Sequence, residues 1–306
     1  MGGVALTTFA SAATIDDAVA ALAGGARPVA GGTDLVLGAR QGKEPLPESL
    51  VAIHRVEALR GIEQTGQGLR LGALVTHEEI AADPAIHAHF TALADASAIV
   101  GSHATRAQGT IGGNVMNASP AMDTGGPLLC FDATVTLRSA AGERTIGLDA
   151  LWTGPGKTSA AHDELLVAVD LPAPAPGTGS CYVRLEYRRQ MEIAVVGATA
   201  LVVLADGDVT DARIAITALT PTIRRVPEAE SALVGTAGDA DAVGAAARAA
   251  AGAATPISDV RGSAEYRRAM AEVMATRAVT AALTRARGGS VPIPASPAMY
   301  GAKESR

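Results

Sequence analysis

Apolar residues recur at helical spacing near the start of the chain. Ile15, Ala18, Val19 and Leu22 fall on one face. Thr14 precedes them as a cap, Asp16 and Asp17 occupy the first turn, and Gly24-Gly25 end the run. The spacing predicts a helix over 14–25. Arg27-Pro28-Val29-Ala30 then reads as a short strand, and Gly31-Gly32-Thr33-Asp34-Leu35 as a turn into another apolar stretch. Residues 50–53 are apolar throughout and read as a buried strand. Helix alternating with strand through short glycine turns is the pattern of an α/β unit.

Residues 68–74 alternate as a strand does, and Thr76 with Glu79 forms a capping box that opens a helix. Residues 89–97 read as a second helix. Residues 100–119 are rich in Gly, Ser, Thr and Asn and read as a long polar loop, a type that is functional or disordered. Strands follow at 134–137, 145–146 and 165–170. The Pro/Gly-rich stretch 172–179 is the candidate domain boundary. Beyond it, 182–187, 194–205 and 213–219 read as long strands joined by tight turns. Helices are predicted at 239–252 and 263–287, the second with Tyr266, Met270, Val273 and Met274 on one stripe. The tail from Gly288 shows no periodicity and reads as flexible or as lying on a partner.

Composition narrows the function classes. The chain has 306 residues with a formal net charge of −6. That length suggests two or three domains with cores large enough to need no staple. The acidic balance and the few aromatics argue against a nucleic-acid partner, which needs a basic stripe or a stacking platform. Two cysteines, Cys130 and Cys181, are too few to ligate an iron–sulfur cluster or close a zinc site. They fit a reducing cytoplasm. The longest apolar run, residues 193–205, is too short for a membrane span, and the first cation is Arg27, so a signal peptide is not expected.

The candidate chemistry lies in two double-glycine turns, Gly31-Gly32-Thr33 and Gly112-Gly113-Asn114. Glycine permits positive φ and close approach of a ligand to the backbone. Successive exposed N–H groups then make an anion nest suited to a diphosphate, with Thr33, Thr110 and Asn114 adding side-chain bonds. Each turn alone is also explained as an ordinary tight turn; two, each after a strand-like segment, favour a ligand. No GxGxxG follows a strand, so this is not a Rossmann site. Gly154-Pro155-Gly156-Lys157-Thr158 mimics the end of a P-loop, but Leu151 stands where that motif needs glycine. The six histidines (His54, His77, His87, His89, His103 and His162) show no metal spacing and read as surface or capping residues. Cys130 sits in an apolar run and reads as core. Asp123 can bond a ribityl or ribose hydroxyl, or simply cap a loop or helix. The residues alone lead to a two-domain protein whose glycine loops cradle a diphosphate-containing ligand, and a non-Rossmann dinucleotide site favours a flavin.

At these same positions the chain resembles a known family. Ala30-Gly31-Gly32-Thr33-Asp34-Leu35 and Thr110-Ile111-Gly112-Gly113-Asn114 are similar to the paired FAD motifs of the flavoprotein medium subunits of molybdenum hydroxylases, the xanthine dehydrogenase and carbon monoxide dehydrogenase enzymes. The likeness continues through Gly154-Pro155-Gly156-Lys157, Asp163-Glu164-Leu165-Leu166, residues 188–194 and residues 261–267, and spans about 5–286. It implies an α+β fold: a two-lobed FAD-binding domain of the vanillyl-alcohol-oxidase-like type over 1–176, with lobes of about 1–56 and 57–176. A C-terminal domain of antiparallel sheet plus helices, like that of carbon monoxide dehydrogenase flavoproteins, would span 177–287, with a flexible tail over 288–306.

The resemblance also implies a role. FAD would sit on this chain, two 2Fe-2S clusters on a small partner subunit and molybdopterin on a large one, in a dimer of heterotrimers. Electrons would pass from molybdenum through the clusters to FAD and on to NAD, a quinone or oxygen. By the family pattern, Ala30, Gly31, Gly32, Thr33, Asp34, Leu35, Val36 and Leu37 would hold the diphosphate from one side. Thr110, Ile111, Gly112, Gly113 and Asn114 would hold it from the other. Val100 matches an apolar group by the flavin, Asp123 a ribityl contact, and Leu166 and Arg184 an apolar and a basic residue near the ring. Thr33-Asp34 leans toward the bacterial xanthine and N-heterocycle dehydrogenases. Two rivals stand beside this reading: a structural subunit that keeps the fold without the flavin, and a self-contained flavin oxidase with its own catalytic acid or base.

Overall fold

The computed structural model describes residues 8–42 and 45–299. The first lobe contains β1 (Thr8–Ser11), α1 (Ile15–Ala23), β2 (Arg27–Val29), α2 (Thr33–Arg40) and β3 (Ser49–Ala52). Its sheet is parallel, in the order β1-β3-β2, and the apolar run of β3 takes the middle place because both its flanks are covered. Helix α1 forms as its pattern requires. Thr14 and Asp17 exchange capping-box bonds, and Ala18, Val19 and Leu22 are buried. That face packs with Val51, Ile53 and Leu59 and reaches Leu165 and Val167 of the second lobe.

The second lobe runs through β4 (Ile62–Thr65), β5 (Gly68–Gly72), α3 (His77–Ala82), α4 (Pro84–His89), α5 (Thr91–Ser97), α6 (His103–Arg106), α7 (Ile111–Asn117) and α8 (Gly125–Cys130). It continues with β6 (Thr134–Ser139), β7 (Gly142–Gly147), α9 (Leu148–Leu151), β8 (Trp152–Gly154), β9 (Lys157–Thr158) and β10 (Leu165–Pro172). Its antiparallel sheet has the order β4-β5-β10-β6-β7, with β10 central and buried along most of its length. The expected polar loop at 100–119 is instead two short helices, α6 and α7. Ser102 and Thr110 cap them through hydrogen bonds to Thr105 N–H and Gly113 N–H. Caps, not disorder, explain that run of Ser and Thr.

The C-terminal domain contains β11 (Thr178–Leu185), β12 (Val196–Ala205), β13 (Asp208–Thr217), β14 (Arg224–Arg225), α10 (Pro227–Ser231), α11 (Ala240–Gly252), α12 (Ala264–Ala286) and α13 (Ala295–Met299). The strands form an antiparallel sheet in chain order. Helix α12 lies on β11 so closely that a Cβ on Gly179 would come within 2.8 Å of the Ala286 Cα. The buried face of α12 is mostly small: Ala271, Met274, Ala275, Ala278 and Ala282. Tyr266, expected on that stripe, is instead exposed in the first turn of α12, at the opposite end from the close contact with Gly179.

The flexible tail expected from Gly288 is corrected over its described part. Ala295 and Ser296 are fully buried. The Ala295 N–H donates to Asp95 Oδ1 (2.9 Å), and Ser296 Oγ accepts from the Arg184 N–H (3.0 Å). Arg285 donates to the Val291 and Pro292 carbonyls. Buried polar partners, invisible to a periodicity test, hold this segment. The rest of the tail lies outside the described residues. Among the described residues no helix is long and apolar enough to cross a membrane.

Candidate functional site

A cleft of about 1390 Å³ opens between the two lobes, with loops of the C-terminal domain along one rim. The first glycine pair enters it as a helix start. Gly32 has φ +69°, the left-handed region that favours glycine, and precedes α2. No side chain caps α2, so the first-turn N–H groups of Thr33, Asp34 and Leu35 have no acceptor within the helix. These residues line the cleft. Gly31 is needed for a different reason. A Cβ there would lie 2.6 Å from the Gln108 carbonyl carbon, so this glycine lets the two loops touch.

The second pair differs from the expected nest. The Ile111 N–H donates to the Val75 carbonyl (2.8 Å), the Gly112 N–H to the Ala73 carbonyl (3.0 Å), and the Gly113 N–H to Thr110 Oγ1 (3.2 Å). The Asn114 N–H donates to the Thr110 carbonyl (2.9 Å). This motif therefore contributes room and side chains, not free amides. Gly112 is glycine because a Cβ would crowd the Ala73 backbone at 2.7–3.0 Å. At Gly113 a Cβ would approach only Thr110 Oγ1, at 3.1 Å, and would otherwise project into open space. A cradle that one added carbon would fill is what close approach of a large ligand requires.

The sequence-derived residues converge unevenly. Ala30 to Leu37, Val100, Thr110, Gly112, Gly113, Asn114, Asp123 and Leu166 all line the cleft. Ile111 does not. Its side chain is fully buried in the core of the second lobe and anchors α7 from behind. Arg184 is not brought to the cleft wall either. It is fully buried, with Nη1 on Asp123 Oδ2 (2.7 Å), Nη2 on Glu186 Oε2 (2.6 Å) and Nη2 also on the Ile99 carbonyl (3.1 Å). Burial alone would lower its pKa; the Asp123 and Glu186 carboxylates outweigh that and raise it. Arg184 thus stands behind Asp123 as its counter-ion. Asp123 itself faces the cleft with Oδ1 accepting from Tyr182 Oη (2.6 Å), so its position is set by two buried donors.

Several wall residues carried no signal in the sequence. His77 lines the floor, 2% exposed, with Nδ1 buried and without a partner among the described residues. Met191, Ile193 and Arg261 reach over the rim from the C-terminal domain. The Met191 N–H donates to the Gly101 carbonyl (2.8 Å), and the Tyr187 hydroxyl donates to the Arg261 carbonyl. Asp34 is exposed by its surface area, yet neighbouring atoms of the cleft take enough solvent from its carboxyl to push it up from the ordinary range. Among the described residues no group of three His, Cys, Asp or Glu side chains is placed to hold a metal ion. Cys130 and Cys181 are both buried and unbridged, and burial pushes both thiols up.

A group with a long polar backbone and a planar head fits this cleft. The uncapped amides of α2 and Thr33 and Thr110 give this cleft its polar side, and Val100 and Leu166 give it apolar wall. Known proteins agree. The family described as the FAD binding domain in molybdopterin dehydrogenase matches residues 5–174, and the CO dehydrogenase flavoprotein C-terminal domain matches 182–282. The carbon monoxide dehydrogenase medium chain of Hydrogenophaga pseudoflava is 34% identical over 78% of this chain and 83% of its own length. A putative xanthine dehydrogenase FAD-binding subunit of Escherichia coli is 30% identical over 92% of this chain and 97% of its own. The solved structure of carbon monoxide dehydrogenase from Hydrogenophaga pseudoflava superposes with a TM-score of 0.88 at 32% identity, covering 92% of this chain and 98% of that one. The chain belongs to the family of FAD-binding medium subunits of molybdenum hydroxylases.

Proposed function

We propose that this chain is the electron outlet of a molybdenum hydroxylase complex, holding FAD in the inter-lobe cleft. The observation that carries the reading is the cleft itself, where an uncapped helix start at Gly32 meets a Gly113 whose missing Cβ leaves open space. Bound there, FAD supplies one- and two-electron chemistry, which couples iron–sulfur donors to a two-electron acceptor. The chain's own part is binding and shielding. The first-turn amides of α2 and the Thr33 and Thr110 hydroxyls would hold the dinucleotide's polar backbone. Val100 and Leu166 would exclude water from the ring, and Asp123, braced by Arg184 and Tyr182, would accept from a hydroxyl.

The partners in this reading are a small subunit with 2Fe-2S clusters and a large molybdopterin subunit, assembled as a dimer of heterotrimers in the cytoplasm. The acceptor is NAD, a quinone or oxygen. The Thr33-Asp34 pair supports an N-heterocycle such as a purine as the substrate, hydroxylated on the large subunit. The test is a titration of the purified chain with FAD. One equivalent bound, with a yellow protein as the product, supports the reading; no binding overturns it in favour of a flavin-less structural subunit.

A further inference from the structure

His77 opens α3 directly after its Thr76 cap and points into the floor of the cleft region rather than to solvent. Its backbone N–H donates to the Gly109 carbonyl (3.1 Å), which ties it to the segment leading into the second glycine pair. Packing at Gly109 locates the ring. The position a Cβ would take there lies 3.4 Å from His77 Cδ2 and 3.5 Å from Thr33 Oγ1. Cδ2 adjoins Nε2 in an imidazole, so the Cδ2–Nε2 edge is the one turned toward Gly109, in the segment where the second loop meets Gly31 of the first through Gln108. Nδ1 lies on the other side, sealed from solvent and without a hydrogen-bond partner among the described residues.

The protonation state follows from the surroundings. Burial disfavours the imidazolium, and the nearby Arg106 guanidinium repels a second proton, so the pKa is held down to about 4. Arg106 keeps its own charge with Glu78 close by and donates to the Val100 carbonyl. At neutral pH the ring therefore carries one N–H. A buried donor left without an acceptor is rarer in folded proteins than an under-used acceptor. The proton belongs on Nε2, and the sealed Nδ1 is the spare acceptor.

We propose that His77 is an FAD-binding residue: its Nε2–H donates a hydrogen bond to an oxygen of the dinucleotide where the two glycine loops meet. The proposal rests on the reading of the cleft as the FAD site. It adds a donor that neither glycine motif contains. That donor partly replaces the amides that the second motif spends on its own backbone.

The experiment is an FAD titration of the full-length, flavin-depleted chain, followed by quenching of flavin fluorescence, with His77→Leu and His77→Gln beside the unmodified protein. The Gln amide reaches about as far as Nε2 and keeps a donor; Leu keeps bulk only. The expected result is affinity weakened by about tenfold to a hundredfold in His77→Leu and by no more than about threefold in His77→Gln. Equal affinity in His77→Leu and the unmodified protein overturns the proposal, as does equal weakening in both variants, which would mark a packing role. Failure of the unmodified chain to bind FAD overturns the cofactor reading itself, so the two failures are distinct. Should His77→Leu not fold, nitrogen-15 spectra of histidine-labelled unmodified protein decide. FAD must shift the His77 Nε2 resonance, identified by its loss in His77→Gln, and an unmoved resonance refutes the contact.

Discussion

Replacing Arg184 with methionine should damage the fold far more than it tunes a flavin. The guanidinium is fully buried and donates to Asp123 (2.7 Å), to Glu186 (2.8 and 2.6 Å) and to the Ile99 carbonyl (3.1 Å). Methionine fills much of the volume but leaves two mostly buried carboxylates without their cation. Breaking a buried ion pair from one side costs about 3–5 kcal/mol, because the remaining charge is uncompensated. At about 2.1 cal/mol/K of unfolding entropy per residue, that corresponds for a 306-residue chain to a fall in Tm of roughly 5–8 °C. Adding Asp123→Asn removes one stranded charge, so the double variant should recover part of the loss, a coupling that a thermodynamic cycle reads directly. Thermal unfolding of the flavin-free proteins, monitored by circular dichroism, is the assay. A loss below about 1 kcal/mol, together with a shifted flavin midpoint potential, would refute this reasoning and return Arg184 to the ring.

Gly113→Val should abolish FAD retention at a modest cost in stability, because its branched side chain projects into the cleft and crowds only Thr110 Oγ1; flavin content after desalting is the check, and normal content contradicts it. Gly31→Val and Gly112→Val are poor probes of binding, since their added carbons collide with backbone. Stability should fall with acid through His77: its pKa is about 4 when folded and near 6.5 when unfolded. The contribution is therefore complete above pH 6.5 and is lost as pH falls through 4, by up to roughly 3 kcal/mol. Urea midpoints at pH 7 and pH 4 should show that drop shrink in His77→Gln. Asp95→Asn should loosen the C-terminal segment, because Asp95 accepts from Arg285 (2.6 and 3.0 Å) and from the Ala295 N–H (2.9 Å); faster tryptic cleavage after Arg287 reports it.

The glycine loops were legible in the sequence because close approach and positive φ are properties of single residues. Their roles were not. Gly31 and Gly112 are demanded by contact with Gln108 and Ala73, which lie far away in the chain or outside the motif. Helices, strands and the capping boxes at Thr14 and Thr76 were readable from local spacing. The two helices inside 100–117 were missed because a cap and a polar loop share the same residues. Arg184 and Asp95 illustrate the deeper limit. Each buried charge depends on a partner far off in the chain, Asp123 for Arg184 (beside its near neighbour Glu186) and Arg285 for Asp95, and no periodicity encodes that pairing. His77 reads in the sequence as a surface or capping histidine, yet it is 2% exposed, because its burial depends on distant segments such as Gly109 that local spacing does not reveal. The segment after Gly288 shows no periodicity for the same reason: it is held by polar bonds at Ala295 and Ser296 together with scattered apolar contacts of Val291, Ile293 and Ala295, not by a regular stripe.

The central claim is that this chain passes electrons and does not itself oxidise the substrate. Anaerobic mixing of the FAD-loaded chain with purines, other N-heterocycles, aldehydes and carbon monoxide, alone and with its iron–sulfur and molybdopterin partner subunits, tests it most directly through loss of the blue flavin absorbance. The account predicts no bleaching by any of them in the isolated chain and rapid bleaching by the true substrate in the assembled complex. Rapid bleaching in the isolated chain would contradict it and make the protein a self-contained flavin oxidase.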